Sequence, residues 1–494
     1  MLKNQIKPLF LLALVLRWIG INHGYPFIFH PDEPTVVQSA LGVRFYPNPA
    51  HFDWPHLHIY LNYFLYMVFA KFRTLLEVLS LRGALPILWD EPFVFYLISR
   101  LFTAFLGALT VIPVYLAAKT LFNKRVGLFS ALVFALIPFH VWHSHYILVD
   151  IPMVFWLSWG VYFAVRILKF GKISDYLLAG FFVGLSASTK YNGGLGALAI
   201  PLAYVLSRGV VRSVKPSKET FFGVRNLVLS AFAAAFGFLL GTPYALFDFD
   251  TFSRTDGPKG AFWQFTNVGK VDFVTHTKQF FETLAIQLSN DLGYVFMAIF
   301  LGLLIYLLVK KKMDKRAAFL YILAFVAIYY VSGFSKTRSH YFMICYPFVA
   351  MLVGYGVHVI SEKIPSTLVY KKFLLGLIFV IPLLFSVYKA TLFVREDTRV
   401  TLHSWLIDNV SSGSKVYYFD GENFEIVVKS LENVSSDKLD AISDIPSELE
   451  ESYTGYLILD DEESALISGH TFLRKRIEVE GDHRRGPSWV IYEF

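Results

Sequence analysis

Residues 227–246 read LVLSAFAAAFGFLLGTPYAL, a stretch without one charged side chain. Further stretches with no charge, or almost none, cover residues 294–309, 317–331 and 373–387. A helix that spans the hydrocarbon core of a bilayer needs about 20 predominantly apolar residues. One large soluble helical protein with an apolar core is the alternative, and the length of these runs argues against it. The sequence therefore predicts an integral membrane protein with many spans.

Composition agrees with this interpretation, since 55% of the 494 residues are hydrophobic. The net charge of +7 hides an asymmetry, because residues 395–494 hold 10 Lys and Arg against 21 Asp and Glu. The basic residues outside that segment cluster at the ends of apolar runs, where topology explains them, so no nucleic-acid partner is expected. Cys345 is the only cysteine, which excludes a disulfide within the chain and a cysteine-based metal cluster.

Basic loops predict the orientation of the chain. We place 11 spans, at about 8–24, 93–118, 126–142, 151–169, 176–190, 194–208, 226–246, 292–310, 317–333, 341–360 and 372–393. With this count five Lys- and Arg-rich loops fall on one side, which the positive-inside rule makes cytoplasmic. The N-terminus is then cytoplasmic. Residues 1–21 resemble a signal peptide but have no small-residue cleavage site, so we expect an uncleaved first span.

Two segments are ambiguous in length and polarity. Residues 56–72 are apolar enough to span, but an additional span there would place every later basic loop outside. We therefore expect a helix lying in the membrane interface. Residues 176–208 form two short spans around Ser188–Asn192 (STKYN), and polar irregular backbone at membrane depth persists only where it is buried in protein or lines a cavity.

The predicted fold class is an all-α polytopic membrane domain, residues 1–393, followed by a small α/β domain, residues 394–494. The membrane domain carries two large outer loops, 25–92 and 247–291. In the second domain we predict a helix at 398–410, strands at 416–419, 456–459 and 490–492, and an acidic, loop-rich stretch at 431–451. The parity of the spans places this second domain outside the cytoplasm.

An adjacent pair of carboxylates is the strongest local signal for chemistry. It lies in His30-Pro31-Asp32-Glu33-Pro34, directly after the first predicted span. Two carboxylates at a membrane surface are costly unless they are solvated or used. A structural alternative is a solvated loop in which Asp32 caps the next helix and Pro34 lies in its first turn. The spacing alone does not decide between the two.

The order of several motifs resembles the GT-C superfamily of glycosyltransferases that use polyprenyl-phosphate sugars. Within it, the chain is most similar to the protein O-mannosyltransferase-like family 39. After the acidic pair come an arginine in the second span, Arg100, then YILVDIP at 146–152 and GLSASTKYNG at 184–193. His-Pro-Asp-Glu also resembles the family 22 mannosyltransferases. Residues 53–57 (DWPHL) depart from the Pro-Pro-Leu that family 39 members often have there.

The resemblance implies an inverting transfer at the outer membrane surface. A carboxylate would take the proton from the acceptor hydroxyl or amine while it attacks the anomeric carbon. Asp32 is the candidate base, and Glu33 is either the runner-up or the group that orients Asp32 or the acceptor. The donor would be a polyprenyl- or dolichyl-phosphate sugar, carrying a hexose or a pentose. The acceptor would be a protein, a lipid or a glycan, and the expected location is the cell membrane of a prokaryote.

The leaving lipid phosphate requires cationic partners. The loop Ser335–Tyr341 (SKTRSHY) is basic on the side where few basic residues are expected, so Lys336, Arg338, His340 and Tyr341 are candidate donor contacts. Snorkelling at a span end is the alternative. Ionisable residues near the outer ends of spans add candidates that would contact substrate or shape the cavity, with pairing to a buried acid as their alternative: Arg100, Lys190 and Asp150.

A metal is a weaker hypothesis. His51, Asp53, His56 and His58 are ligand-like residue types in a short stretch, and His143 and His145 lie near Asp150 in the sequence. Among them Asp53 and His56 are the candidate ligands of a divalent ion. Clustered histidines at an interface are also ordinary amphipathic surface residues, and the sequence does not separate the two.

Two other classes of function compete with the transferase. A lipid or solute transporter or flippase would show repeat symmetry and charges near the bilayer midplane. We find no repeat, and only the short hairpin at 176–208 favours this class. A membrane-anchored receptor or scaffold acting through its acidic tail would need neither the acidic pair nor Arg338.

Overall fold

The protein is represented by a computed structural model. It describes residues 3–80, 82–84, 86–208, 218–267, 269–365, 370–419, 423–431, 434–439, 455–460, 474–481 and 485–493. The chain divides into two compact units. The first contains Met1–Trp18, Asp32–Trp89 and Phe95–Lys389, and the second contains Ile19–Pro31, Asp90–Val94 and Ala390–Phe494.

The first unit is helical. Its helices up to residue 208 are α1 (Lys3–Trp18), α2 (Glu33–Gly42), α3 (Leu57–Val78), α4 (Phe93–Leu109), α5 (Val111–Leu121), α6 (Lys124–Ala135), α7 (Pro138–His143), α8 (Asp150–Phe170), α9 (Ile173–Ala187) and α10 (Ala199–Arg208). The later ones are α11 (Lys218–Gly241), α12 (Tyr244–Phe247), α13 (Phe249–Phe252), α14 (Ala261–Asn267), α15 (Phe273–Glu282), α16 (Leu288–Leu292), α17 (Tyr294–Val309), α18 (Lys315–Ser332), α19 (Tyr346–Lys363) and α20 (Lys371–Thr391). Short 3₁₀ segments cover Arg82–Ala84, Pro86–Trp89, Tyr191–Leu198 and Ser339–Cys345, and a π-helix covers Thr283–Gln287.

Five helical segments of the described chain are long and apolar enough to cross a membrane. They are Phe93–Leu121, Asp150–Phe170, Gly223–Gly241, Lys315–Ser332 and Ser339–Lys363. Three shorter apolar helices, Ile173–Ala187, Tyr294–Val309 and Leu375–Thr391, accompany them. The chain is therefore an integral membrane protein, as predicted. The exact number of 11 spans stays a prediction, as does the interfacial position of α3.

Several predicted spans are not single α-helices. The span at 126–142 consists of α6 and α7, with a break directly before Pro138. Ile137 has ψ 113, in the extended region that a residue before proline prefers, and this ends α6. The stretch between α9 and α10 is likewise a 3₁₀ segment, Tyr191–Leu198, preceded by the extended residue Lys190. At these breaks, irregular backbone and polar side chains occupy positions that would be regular helix in a continuous span.

The second unit contains helices α21 (Thr398–Asn409) and α22 (Phe424–Val428) and a five-stranded sheet. The strands are β1 (Lys415–Phe419), β2 (Ser435–Leu439), β3 (Gly455–Leu459), β4 (Arg474–Val479) and β5 (Trp489–Glu493), in the order β2-β1-β3-β5-β4. The β2-β1-β3 pairings are parallel, and β5 runs antiparallel to β3 and β4. Leu402 and Leu406 of α21 pack with Val416, Ile458 and Ile491 in the buried core of this unit.

A mostly helical chain with a small C-terminal sheet confirms the coarse fold prediction. The predicted helix at 398–410 and strands at 416–419, 456–459 and 490–492 correspond to α21, β1, β3 and β5. The stretch 431–451 was predicted to be loop-rich, but β2 lies in it, and residues 440–451 lie outside the described residues. Its polar sequence, SSDKL, has little of the apolar pattern that identifies a strand.

Candidate functional site

The two acids of the first-loop pair have different environments. Asp32 occupies the residue before α2 and is exposed, and its side chain makes no capping hydrogen bond to the helix. Glu33 begins α2 and is completely buried. Asp32 therefore occupies the helix-cap position, as that alternative predicts, but its carboxylate does not form the capping hydrogen bond. Of the two acids, Asp32 is the one that a molecule outside the protein can reach.

Glu33 forms a buried, bidentate ion pair with Arg100 of α4. Arg100 donates from Nε to Oε1 at 2.8 Å and from a terminal nitrogen to Oε2 at 2.6 Å. The Arg100 side chain is 1% exposed and that of Glu33 is 0% exposed. Forked geometry of this kind gives a strong, directional interaction. The predicted alternative for Arg100, pairing with a buried acid, is what the structure contains, and the acid is Glu33.

Glu33 also links to a third segment, because the backbone N–H of Ile147 donates to its Oε1 at 3.1 Å. Ile147 belongs to the YILVDIP stretch that leads into α8. One buried carboxylate therefore holds together three segments that the sequence analysis singled out separately: the first loop, the arginine-bearing helix and this turn. Glu33 is placed to fix the start of α2, and thereby the position of Asp32.

Asp150 and Lys190 form the second buried pair. Lys190 donates from Nζ to Asp150 Oδ1 at 2.6 Å, and His143 Nε2 lies 3.5 Å from Asp150 Oδ2. Asp150 is 2% exposed and begins α8, where the helix dipole favours a negative charge. Lys190 is thus held by an acid, as the alternative for this residue anticipated.

The irregular segment around Lys190 is buried or half-buried, and the serines that precede Lys190 bond to polar groups of neighbouring elements. Ser188 Oγ lies 2.7 Å from Thr242 Oγ1, and Ser186 Oγ donates to the carbonyl of Met153 at 2.9 Å. Gly193 follows, where an added Cβ would lie within 2.4 Å of Ser186 Oγ. Glycine is therefore required for this close approach. The polar break predicted at 188–192 is embedded in protein, as membrane depth requires.

The loop 335–341 meets this second pair through its last two residues. The His340 ring stacks on the His143 ring with centroids 5.4 Å apart, and Lys190 Nζ lies 4.9 Å from the centre of the Tyr341 ring. Lys336 and Arg338 are instead exposed. Within the described residues neither has a carboxylate at ion-pair distance, so their charges are available to an anion.

A large cleft lies beside this loop. It has a volume of about 670 Å³ and lies between α15 and the C-terminal half of α18. Its lining is mostly aromatic, with one lysine and one histidine: Lys270, His276, Phe280, Phe325, Tyr329, Tyr330 and Phe334 are among the residues. Val271 donates its N–H to the carbonyl of Gly333 at 3.1 Å, so the segment that carries Lys270 is hydrogen-bonded to the start of the loop.

In the stretch 51–58 the candidate metal ligands contact one another and the backbone. The imidazole of His51 pairs with Asp53 through Nδ1 and lies 2.8 Å from Ser39 Oγ through Nε2. His56 donates from Nε2 to the carbonyl of His51 at 2.8 Å, and burial lowers the pKa of His56 to about 4. No group of three His, Cys, Asp or Glu able to hold a metal ion occurs among the described residues. The ligand types are present, but Asp53 and His56 already have other partners.

Sequence reasoning found most of these residues, but it gave pairing with a buried acid only as an alternative for Arg100 and Lys190. It missed Glu33 as the partner of Arg100, although an acid directly before an amphipathic helix and an arginine inside a span are both visible. It also missed Lys270 and the aromatic cleft. A lysine followed ten residues later by paired aromatic residues, Phe280-Phe281, in a predicted outer loop was the available signal.

Comparison with known protein families matches the part of the chain that contains several of these contacts. Residues 96–243, which include Arg100, Asp150 and Lys190, match the family described as dolichyl-phosphate-mannose-protein mannosyltransferase. Yeast (Saccharomyces cerevisiae) dolichyl-phosphate-mannose–protein mannosyltransferase 1 is 30% identical over 163 residues, which is 31% of this chain and 19% of that protein. The chain thus matches about a fifth of the length of this relative.

Solved structures resemble the whole chain in fold. ArnT from Cupriavidus metallidurans bound to undecaprenyl phosphate superposes with a TM-score of 0.50, at 11% identity, over 99% of this chain and 97% of that one. The Archaeoglobus fulgidus oligosaccharyltransferase in complex with zinc and sulfate has a TM-score of 0.50, at 14% identity, over 88% and 62% of the two chains. The predicted resemblance is therefore confirmed, in sequence for residues 96–243 and in fold for nearly the whole chain. Within it, residues 96–243 are similar in sequence to the protein mannosyltransferases.

Proposed function

We propose that this protein is a glycosyltransferase that moves a sugar from a polyprenyl- or dolichyl-phosphate carrier to an acceptor. In this proposal the reaction takes place at the outer face of a prokaryotic cell membrane, with a cytoplasmic N-terminus and the sheet-containing unit outside. The observation that carries the proposal is the exposed cationic loop with Lys336 and Arg338, joined to the head of an aromatic cleft. A phosphate with a long apolar chain matches both features.

The charges and the apolar surface suit the donor in the following way. Lys270, Lys336 and Arg338 are exposed on two hydrogen-bonded segments, and none has a carboxylate at ion-pair distance among the described residues. Arg338 can bind a phosphate through two parallel N–H···O bonds. The cleft between α15 and α18 is lined by Phe280, Phe325 and Tyr330, among others. In this proposal the apolar chain of the carrier packs against these aromatic side chains.

Asp32 is the proposed general base. The acceptor oxygen or nitrogen forms the new bond to the anomeric carbon, the bond from that carbon to the phosphate oxygen breaks, and the acceptor proton passes to the Asp32 carboxylate. The lipid phosphate leaves with its electron pair, and the configuration at carbon inverts. Glu33 has no part in this proton transfer because both of its oxygens are engaged by Arg100, so it acts by holding the start of α2.

Replacing Arg338 by alanine is expected to raise the KM for the lipid-linked donor roughly tenfold or more, because a charge-assisted bond to phosphate is lost. Initial rates at varied donor concentration give this KM, and binding of radiolabelled undecaprenyl phosphate and dolichyl phosphate to the purified protein in nanodiscs measures the phosphate contact itself. Arg254→Ala is the matched control, since Arg254 is another exposed loop arginine and it pairs with Asp256. Equal donor affinity in the two variants would rule out Arg338 as a phosphate contact.

Filling the cleft tests the site of the apolar chain. Val326→Trp places an indole in the cleft, and we expect it to weaken binding of a long-chain polyprenyl phosphate while sparing an analogue with a short chain. Ile322→Trp is the control, because Ile322 is similarly exposed on the same helix but does not line the cleft. Chain-length preference is read from competition between the two lipids. If both tryptophan variants behave alike, the chain does not lie in this cleft.

A transporter remains the second candidate because of the interrupted helices at 136–137 and 188–198. Broken helices near the middle of the membrane are typical of binding sites in secondary transporters. Here Ser188 bonds to Thr242 and Lys190 bonds to Asp150, which favours a fixed rather than an alternating arrangement. Covalent transfer of labelled sugar to an acceptor, measured beside lipid translocation in the same proteoliposomes, separates the two functions.

A further inference from the structure

The helical segment that precedes α17 contains a short π-helix, which contacts the loop 335–341 through Gln287. Between α15 and α16 the π-helix Thr283–Gln287 interrupts the regular turn. Such π-helical turns are rare and occur frequently at functional sites. Its last residue, Gln287, donates from Nε2 to both oxygens of Asp291, at 3.2 and 3.1 Å, and also to Ser339 Oγ. One amide therefore connects a carboxylate on α16 to the residue that follows Arg338.

Asp291 is an unusual acid. It is 5% exposed, and among the described residues it has no lysine, arginine or histidine at ion-pair distance. Burial raises the pKa of Asp291 to about 6, against the lowering influence of Gln287, Ser339 and Tyr346. The charged or titratable groups that face it are Lys389 of α20, the Tyr346 phenol of α19 and the Cys345 thiol. A buried carboxylate without a close cation is costly, so its retention here requires a reason.

We infer that Asp291 is a positioning residue, which acts through Gln287 and Ser339 to hold the loop 335–341 in the conformation that presents Arg338. The effect on donor use rests on the proposed function, whereas the effect on the loop does not. Asp291 touches neither of the exposed cations itself. It orients the Gln287 amide, and that amide holds the side chain of Ser339 at the point where the extended residue Arg338 turns into the 3₁₀ segment Ser339–Cys345.

The geometry explains why a carboxylate is needed at this position. The Nε2 amide of Gln287 reaches both Asp291 oxygens and Ser339, so its two hydrogens must be shared among acceptors on two elements. A carboxylate only accepts, and its charge strengthens the bonds that it receives. An asparagine would present one donor group in place of an acceptor and would compete for the orientation of the same amide. Loss of this hold frees the loop from α16 while α16 itself stays packed in the protein.

The test uses the full-length protein in nanodiscs. Asp291→Asn is expected to speed amide hydrogen exchange in residues 335–341 and to raise the KM for the lipid-linked donor roughly tenfold, with kcat nearly unchanged. Asn290→Ala is the matched control, because Asn290 is exposed on the same short helix and its side chain contacts Tyr294 rather than the loop. A control with native exchange and native KM shows that α16 tolerates substitution.

A double-mutant comparison assigns the route. If Asp291 acts through Ser339, Asp291→Asn adds nothing to the loop exchange or to the KM of a Ser339→Ala protein. Unchanged exchange at 335–341 in Asp291→Asn overturns the inference, whatever happens to the KM. Faster exchange with an unchanged KM supports the positioning role and counts against the loop as donor site, so failure of the inference and failure of the proposed function are told apart.

The pH profile gives a readout that packing alone would not move. Below about pH 6 the native carboxyl is protonated, so the donor KM of the native protein should rise as pH falls and approach that of Asp291→Asn, which should stay level. The sign for stability is opposite. A raised pKa in the folded state means that stability falls as pH increases from about 4 to about 6. The melting temperature of the native protein should therefore fall relative to the variant over that range, and parallel profiles would contradict the role of the charge.

Discussion

Replacing Asp32 by asparagine is expected to lower sugar transfer about a hundredfold or more while the protein inserts and folds normally. A positioned base contributes roughly 10² to 10⁴ in rate, and asparagine keeps the shape of the side chain but cannot accept the proton. Asp32 is exposed and its side chain does not cap α2, so the substitution removes no helix cap. The measurement is transfer of labelled sugar from a polyprenyl-phosphate donor into the protein, lipid and glycan fractions of membranes.

Asp256→Asn is a suitable control for this experiment. Asp256 is another exposed loop carboxylate, and it pairs with Arg254 at 2.9 Å. Transfer by the control should equal that of the native protein. Because the charge changes by the same amount in both variants, a general effect of surface charge would appear in both. Native activity in Asp32→Asn would refute its assignment as the base, and a comparison of donor binding would then show whether the donor end of the proposal survives.

Replacing Glu33 by glutamine is expected to destabilise the protein by about 3–5 kcal/mol, because the Arg100 guanidinium is left buried without its counter-charge. Both side chains of this pair are at most 1% exposed, so water cannot screen or replace the lost interaction. Transfer should fall as well, since the start of α2 and with it Asp32 lose their anchor. Denaturant or thermal unfolding of the detergent-purified protein measures the first effect.

A double variant that removes both charges separates the stability provided by the ion pair from the cost of leaving one charge unpaired. Glu33→Leu combined with Arg100→Met should recover much of the lost stability, because a buried ion pair can often be replaced by apolar side chains of similar volume. Activity should stay low in the double variant if Glu33 serves to place Asp32 through Ile147 as well as Arg100. A double variant as unstable as Glu33→Gln would indicate that the hydrogen bond to Ile147, rather than the ion pair, dominates.

The residue types at the site were predictable from the sequence, but most of the pairings were not. Arg100 was identifiable because an ionisable residue in a span is costly and therefore meaningful. Its partner was not identifiable, because Glu33 lies 67 residues away and no periodicity relates them. Lys190 and Asp150 are 40 residues apart, and their pairing was anticipated only as an alternative to a substrate contact. Sequence patterns relate residues that are close along the chain, so they do not identify partners that are this far apart.

The sheet of the second unit shows the same limit of sequence patterns. Strands β3 and β5 are apolar and buried, so hydrophobicity identified them. Strands β2 and β4, with sequences SSDKL and RKRIEV, lie at the two edges of the sheet, and their exposed polar side chains conceal them. Edge strands are stabilised by a neighbour's backbone rather than by their own apolar pattern. Neighbours of that kind become visible only once the tertiary fold is known.

The bond between Glu33 and Ile147 has a consequence for how the protein is made. It spans 114 residues, and a chain is inserted into the membrane from its N-terminus onwards. Arg100 becomes available first, and Ile147 only after α4 to α7 have been synthesised. Glu33 therefore lacks this hydrogen bond until Ile147, which lies within the first third of the 494 residues, has been synthesised. The order of synthesis thus delays the full set of Glu33 contacts until the turn before α8 has emerged from the ribosome.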